Sequence, residues 1–365
     1  MTHRDRFVST VLGKPVDRPP FWLYWPPWET TWKAWSCDGM PSDLKSFKAV
    51  RTLFNADALP KEVPIQIGPC PFRKRRVLEE TESTVIYVDN WGVKRRELKQ
   101  SESMPEFLEA PIKDWDDWRK FKAERLDPGH PDRLGKNWRE YCAEWTAQGY
   151  PLQLGCYPDS GIFGGLRWLM GDEECLIAFY TMPDLVHDIM NHLTTVFLTV
   201  FEKVAGEFPV DVIHLWEDIC FKNGPFISPG HFNEFMAPCY KRISAFARKY
   251  GIPVISVDTD GNPDLLIPHM MECGVNLIYP LEVTAGVDVN SVIEKYPGLA
   301  VMGGIDKRCL AKGPEAIDRE MERIRPAFKK GRYIPDLDHL VPDNVSWENF
   351  RYYALALKKL VGIPA

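Results

Sequence analysis

The chain has 365 residues, a formal net charge of −6 and an ordinary globular balance of 45% apolar and 26% charged residues. That length allows two ordinary domains or one elaborated α/β barrel, and the acidic balance argues against a general nucleic-acid binder. No apolar run approaches a membrane span, the start MTHRDRF is too polar for a secretory signal, and nine irregularly spaced cysteines point to reduced thiols in the cytoplasm.

Residues 16–25, VDRPPFWLYW, read as a turn leading into a short apolar strand, the candidate first strand of a sheet. The Pro- and Trp-rich stretch PPWETTWKAW follows as a loop or short helix. Five of the thirteen tryptophans, Trp22, Trp25, Trp28, Trp32 and Trp35, fall here within fourteen residues. The basic run Arg73–Arg76 is followed by Glu79, Glu80 and Glu82 and reads as a solvated loop. Residues 77–100 alternate around Asp89-Asn90-Trp91-Gly92, a hairpin or meander signal. Residues 105–135, punctuated by four prolines, look like polar helix and linker.

From about residue 150 the rhythm changes. Strand-like runs appear at PLQLGCY, DVIHLWED, PVISVDTD, VNLIYPLE, LAVMGGID and RYIPDLDH, separated by amphipathic helical stretches. Strands alternating with helices imply a parallel sheet. Their spacing fits a single (β/α)8 barrel over 1–365, with residues 26–135 elaborated by the Trp-rich loop, the hairpin and a helical linker. An open doubly wound sheet would need a glycine-rich phosphate loop after an early strand, and the chain has none.

In VISVDTDG, Val254 to Gly261, an apolar strand runs into two aspartates one residue apart. Residues i and i+2 of a strand share a face, so Asp258 and Asp260 are expected to point together. A calcium loop would need further oxygen ligands and a distant glutamate, whereas Asn262 and Pro263 follow. Helix capping accounts for Asp260 or Asn262 but leaves Asp258 unexplained. The other strands also end in chemically capable groups: Tyr157 and Asp159; His214, Glu217 and Asp218; Glu282; Asp306 and Lys307; Asp336, Asp338 and His339. In a barrel the carboxyl ends of all strands meet at one mouth, where active sites sit. The repetition is the functional signal, and a shared cavity is the expectation.

The opening R-F-x(4)-L-G-K-P-V-D-R-P-P and the late GGIDKR…YIPDLDH resemble the uroporphyrinogen decarboxylase superfamily, over essentially the whole chain. The resemblance implies a (β/α)8 barrel and two activities. True decarboxylases carry an R-Q-A-G-R segment after the P-V-D-R element to hold porphyrinogen carboxylates. Here the stretch is LYWPPWETTW, without arginine, which disfavours a polycarboxylate substrate. The superfamily's cobalamin-dependent methyltransferases typically bind zinc through H-x-C and a distant cysteine. Those places fall on Asp258-x-Asp260 and near Asp338-His339, so an oxygen-and-imidazole set would replace the thiolates.

That departure favours activation of an ether oxygen. The expectation is an enzyme that takes a methyl from an O-methyl donor, an aryl ether, and passes it to a corrinoid held by a partner protein. His339, Asp258, Asp260 and Glu217 are the expected catalytic residues. Asp260, His339 and Glu217 are the expected metal ligands, zinc being the candidate ion, with a metal-free acid–base site left open. Trp25, Tyr157, Trp216, Glu282 and Asp306 are the expected substrate contacts. No nucleic acid or membrane partner is expected, and homodimerisation stays open. Two other readings remain: a decarboxylase or lyase, with Lys222, Arg167 and Lys307 as carboxylate clamps, and a barrel that only carries or senses a ligand.

Overall fold

The computed structural model describes residues 1–99 and 105–364. Its centre is a curled parallel sheet of seven strands. In spatial order these are β1 (Lys61–Glu62), β6 (Leu152–Leu154), β7 (Val212–Trp216), β10 (Val254–Asp258), β11 (Leu277–Leu281), β12 (Ala300–Ile305) and β13 (Tyr333–Leu337). Six of them fall inside the six runs expected after residue 150. Alternation sorts their side chains into two layers. Val212, Val254, Leu277, Ala300, Met302 and Ile334 pack together inside the curl. Ile213, Leu215, Ile255, Val257, Ile278 and Val301 face the helices that cover the outside.

The expected first strand, VDRPPFWLYW, is a correction. Residues 20–25 lie between β1 and β13 without joining either ladder. Pro19 and Pro20 have no N–H to donate, and Leu23 takes a left-handed φ of 49° that interrupts extended pairing. The segment is stitched in singly: Asp57 N donates to the Phe21 carbonyl (2.6 Å) and Tyr24 N to Asp336 Oδ2 (2.8 Å). A parallel bridge from Pro27 to Val341 continues the seam.

Helix α1 (His3–Val11), capped by the Thr2 hydroxyl, closes the amino-terminal end of the curl by inserting Phe7 and Val11 among the interior side chains with Trp22. Helix α2 (Glu29–Cys37) occupies most of the Trp-rich stretch and buries Trp35, whose Nε1 donates to the Val345 carbonyl (2.7 Å).

The hairpin expected near residues 89–92 is present, as part of an antiparallel sheet of four strands. These are β2 (Arg76–Glu80), β3 (Thr84–Val88), β4 (Lys94–Leu98) and β5 (Glu106–Glu109), so part of the expected linker is strand. A short ribbon, β8 (Cys220–Phe221) and β9 (Gly224–Pro225), follows β7. No helix among the described residues is long and apolar enough to cross a membrane.

Candidate active site

A cavity of about 1120 Å³ occupies the carboxyl-terminal end of the curled sheet and continues into it. Both ends of β7, Val212 and Trp216, line it, so it runs roughly 13 Å along the strand direction. It reaches solvent where its wall includes the exposed residues Glu29 and Lys33 of α2 and Leu98 and Lys99 at the end of β4. The antiparallel sheet thus forms one lip and the Trp-rich helix the other.

The interior wall is aromatic. Tyr24 meets Trp25 edge-on (5.0 Å between ring centroids, 83°) and Tyr279 edge-on on its other side (5.8 Å, 75°). Tyr157 stands edge-on to Trp216 (4.9 Å, 89°), which stacks on Trp168. Trp25 also stacks on the His339 imidazole (4.6 Å, 20°), and its own buried Nε1 has no acceptor. That nitrogen is a donor held ready for a ligand oxygen.

Asp258 and Asp260 both line this cavity with His339. Burial pushes the Asp258 carboxyl well above the usual carboxylate range, helped by the charges of Asp260 and Asp218. Asp260 is pushed up to about 7, by burial first and then by Glu282 and Asp218, with Lys307 opposing. His339 is pushed down to about 4 by burial and the Lys307 charge. Asp260 Oδ1 and His339 Nε2 stand 3.6 Å apart. The separation alone would allow an ion pair, but both shifts run against it, the carboxyl toward its acid form and the imidazole toward its neutral form, with 44% and 24% of the two side chains still open to the cavity. At 3.6 Å the two do not hydrogen-bond directly, and a ligand atom or a water has to join them.

The remaining expected residues divide. Trp25, Tyr157 and Trp216 line the cavity. Glu217 does not, which corrects its assignment to catalysis and to metal binding. Its carboxylate, fully buried, turns to the other face of the sheet, where it accepts from Tyr240 OH (2.7 Å) and from the backbone N–H groups of Ile162, Phe163 and Gly164. It fixes the start of the helix Phe163–Met170. Trp216 faces inward, so its neighbour Glu217 must face outward.

Glu282 is not in the wall either; it accepts from Gly261 N (2.8 Å) and so holds the loop that carries Asp260. Asp306 is a turn cap, accepting from Arg308 N and pairing with the Arg308 guanidinium (2.8 Å). Tyr24, Glu62 and Tyr279 are among the cavity residues the sequence reading did not single out: Tyr24 lies on the segment expected as the first strand, Glu62 on a strand of two residues, and Tyr279 sits mid-strand, not at an end. Their inward parity within recognised or neighbouring strands is the signal that would have found Tyr279.

The donor set does not fit a protein-held zinc ion. Asp260 and His339 face each other, Glu217 is on the far side of the sheet, and no group of three or more His, Cys, Asp or Glu side chains among the described residues has ligand geometry. Asp338, next to His339, accepts from the backbone N–H groups of Val283 and Lys307 instead.

A family model described as uroporphyrinogen decarboxylase (URO-D) matches residues 168–360. A curated uroporphyrinogen decarboxylase from Rhodococcus erythropolis is 28% identical over 159 residues, 42% of this chain and 40% of that protein. Another, from Desulfotalea psychrophila, is 22% identical over 163 residues, 44% of each. The match therefore spans less than half the length of these relatives. Among solved structures, a methyltransferase from Methanosarcina mazei superposes with a TM-score of 0.63 at 15% identity, covering 98% of this chain and 99% of that one, a likeness of fold.

Proposed function

The chain belongs to the uroporphyrinogen decarboxylase family, and from that premise we propose that it is a corrinoid-dependent methyltransferase acting on an aryl methyl ether. The observation that carries the proposal is the Asp260–His339 pair, 3.6 Å apart inside an aromatic cavity, with the carboxyl pushed up to about 7 and the imidazole pushed down to about 4. When the O–CH3 bond of an ether breaks, both bonding electrons stay on oxygen. A phenoxide is a poor leaving group, so the oxygen needs a proton as the methyl departs. Asp260 supplies it and leaves as a carboxylate; His339 accepts hydrogen bonds from the donor side and relays a replacement proton from solvent. Asp258, whose carboxyl burial also pushes upward, lines the same cavity. Tyr157, Trp216 and Trp25 hold the ring. The corrinoid, brought to the open mouth by a partner protein, would supply the nucleophilic cobalt that takes the methyl.

The family's decarboxylase activity asks for cationic clamps. Arg167 is engaged by Asp172 and Asp218 (2.9 Å each), Lys222 is exposed on the far side of β8, and Lys307 stands 4.0 Å from Glu282; none of the three lines the cavity. Three other cations do, Lys33, Arg75 and Lys99, and each stands at the rim against a glutamate: Glu29 (2.7 Å), Glu97 (2.6 Å) and Glu80 (2.8 Å).

The test mixes the purified protein with a purified corrinoid protein and a panel of methoxyarenes, and follows the cobalt spectrum under reducing conditions. Methyl-cobalt is expected only with protein and ether together. The rate is expected to fall as pH rises through about 7, because the acid form of Asp260 is lost there. Asp260→Asn is expected to slow transfer by roughly a hundredfold or more. Release of carbon dioxide from a carboxylic acid, with no corrinoid present, overturns the proposal in favour of decarboxylation.

A further inference from the structure

Glu62 is the last residue of β1, paired in register with Gln153, and its side chain lines the cavity. It makes no hydrogen bond or ion pair among the described residues, and neither does the carboxylate of Asp258. Glu62 is exposed to the open cavity, and the cavity wall around it still pushes its carboxyl upward with no counter-charge to oppose it. The charges of Glu62 and Asp258 both reach the hydroxyls of Tyr24 and Tyr279, so the two carboxyls and the two rings share one compartment. Of the neighbouring carboxyls in the wall, Asp218 already has its cation in Arg167 (2.9 Å), and Asp260 faces His339 (3.6 Å). The rim cations are held by their own glutamates, as described above. The compartment therefore combines two carboxyls without counter-ions and a wall of three rings in which Tyr24 packs edge-on against Tyr279 and Trp25. Ring faces and uncompensated carboxylates both attract positive charge, and a quaternary or protonated ammonium is the ligand chemistry that satisfies both at once.

We propose that the methyl donor carries an ammonium group remote from its methoxy group, and that Glu62, with Asp258 and the Tyr24–Tyr279 wall, is the seat that selects it. The inference rests on the methyl-donor reading of the same cavity and names the charge class of the donor. Glu62 acts on specificity; it stands apart from the Asp260–His339 pair that moves the proton.

The test uses two probes of the same shape that differ in charge, para-methoxyphenyl trimethylammonium and para-tert-butylanisole. Binding to the full chain is followed through tryptophan fluorescence, without corrinoid and without turnover. The cation is expected to bind at least about tenfold tighter than the neutral isostere, the scale of one desolvated charge contact. Glu62→Gln is expected to abolish that preference while leaving affinity for the neutral probe unchanged, which also reports that the variant is folded. Glu62→Asp, which keeps the charge but withdraws it, is expected to reduce the preference. Equal affinity for the two probes, or a preference that survives both variants, overturns the inference. Methyl transfer from the neutral ether at the rate of the cationic one would overturn it too and leave the methyltransferase reading standing.

Discussion

At the scale of single residues, the interior of this barrel is set by where carboxyl groups find donors. Asp336, on the inward face of β13 and 1% exposed, accepts from the backbone N–H groups of Tyr24 and Leu337 (2.8 Å each). Burial still pushes it up to about 7 from the ordinary 3.8. Between those two values the folded chain keeps a proton that the unfolded chain has released. Its contribution is therefore fully present below about pH 4, declines as pH rises, and is gone above about pH 7. Asp336→Asn removes the ionisation and keeps an acceptor for Tyr24 N. At pH 8 the variant is expected to be more stable than the parent, by on the order of 3 kcal/mol. At pH 4 the two should unfold alike. His339, depressed to about 4, gives a slope of the opposite sign between that value and 6.5, so only the difference between variant and parent isolates Asp336. Urea unfolding at the two pH values makes the measurement, and an equal difference at both would show that the carboxyl is not held protonated.

At the scale of elements, the N-terminal motif that carried the family resemblance turns out to be a clasp. Arg6 on α1 donates to Asp17 (2.9 and 2.8 Å) and to Asp57 (2.8 Å), and Arg18 donates to both oxygens of Asp57 (2.6 and 2.9 Å). Asp57, 3% exposed, also accepts from Phe21 N, and so ties α1, the seam and the approach to β1 together. Its carboxyl is held below the usual range; burial opposes this but the guanidiniums and Phe21 N prevail. Asp57→Ala would strip the half-buried Arg18 of its carboxylate, leave buried Arg6 with Asp17 alone and orphan Phe21 N. It is expected to cost about 3 to 5 kcal/mol and to lower the melting temperature without moving the pH limb of turnover. A variant of unchanged stability would refute the clasp.

The same scale explains what the sequence made legible. Strands with five or six apolar residues between helices, such as VIHLW and AVMGGI, announce themselves by length and flanks. The two-residue β1 does not, because a ladder of two pairs leaves no period to detect, and the segment 20–25 reads as a strand from its apolar run although a left-handed Leu23 keeps it out of the ladder. Site residues follow the same division. Asp258 and Asp260 were legible from i, i+2 parity, although β10 ends at Asp258 and Asp260 stands in the loop beyond it. Glu217, which belongs to the opposite parity from Trp216, was grouped with the mouth only because it ends a strand, and Glu62 was passed over for want of one.

At the scale of the whole molecule, the cavity is a standing cost. Barrel interiors are ordinarily filled with side chains, whereas here about 1120 Å³ is left open among carboxyls whose charge burial disfavours and no cation offsets. A ligand that fills the space and supplies the missing charge stabilises the folded chain by mass action, about 2.7 kcal/mol when present at a hundred times its dissociation constant. Unfolding entropy scales with chain length, and for a chain of this size each kcal/mol moves the melting temperature by little more than about 1 °C. A cationic methoxyarene at that concentration is therefore expected to raise the midpoint by roughly 3 °C. A tetracarboxylate at equal concentration is expected to leave it unchanged, because the inner compartment is acidic and the rim cations are occupied. Glu62→Gln should lose most of the upward shift, whereas Asp57→Ala, lower in absolute midpoint, should keep it, since the clasp lies at the seam and not in the cavity wall. Differential scanning calorimetry on the three proteins separates these cases, and stabilisation by the tetracarboxylate instead of the cation would reverse the charge assigned to the ligand.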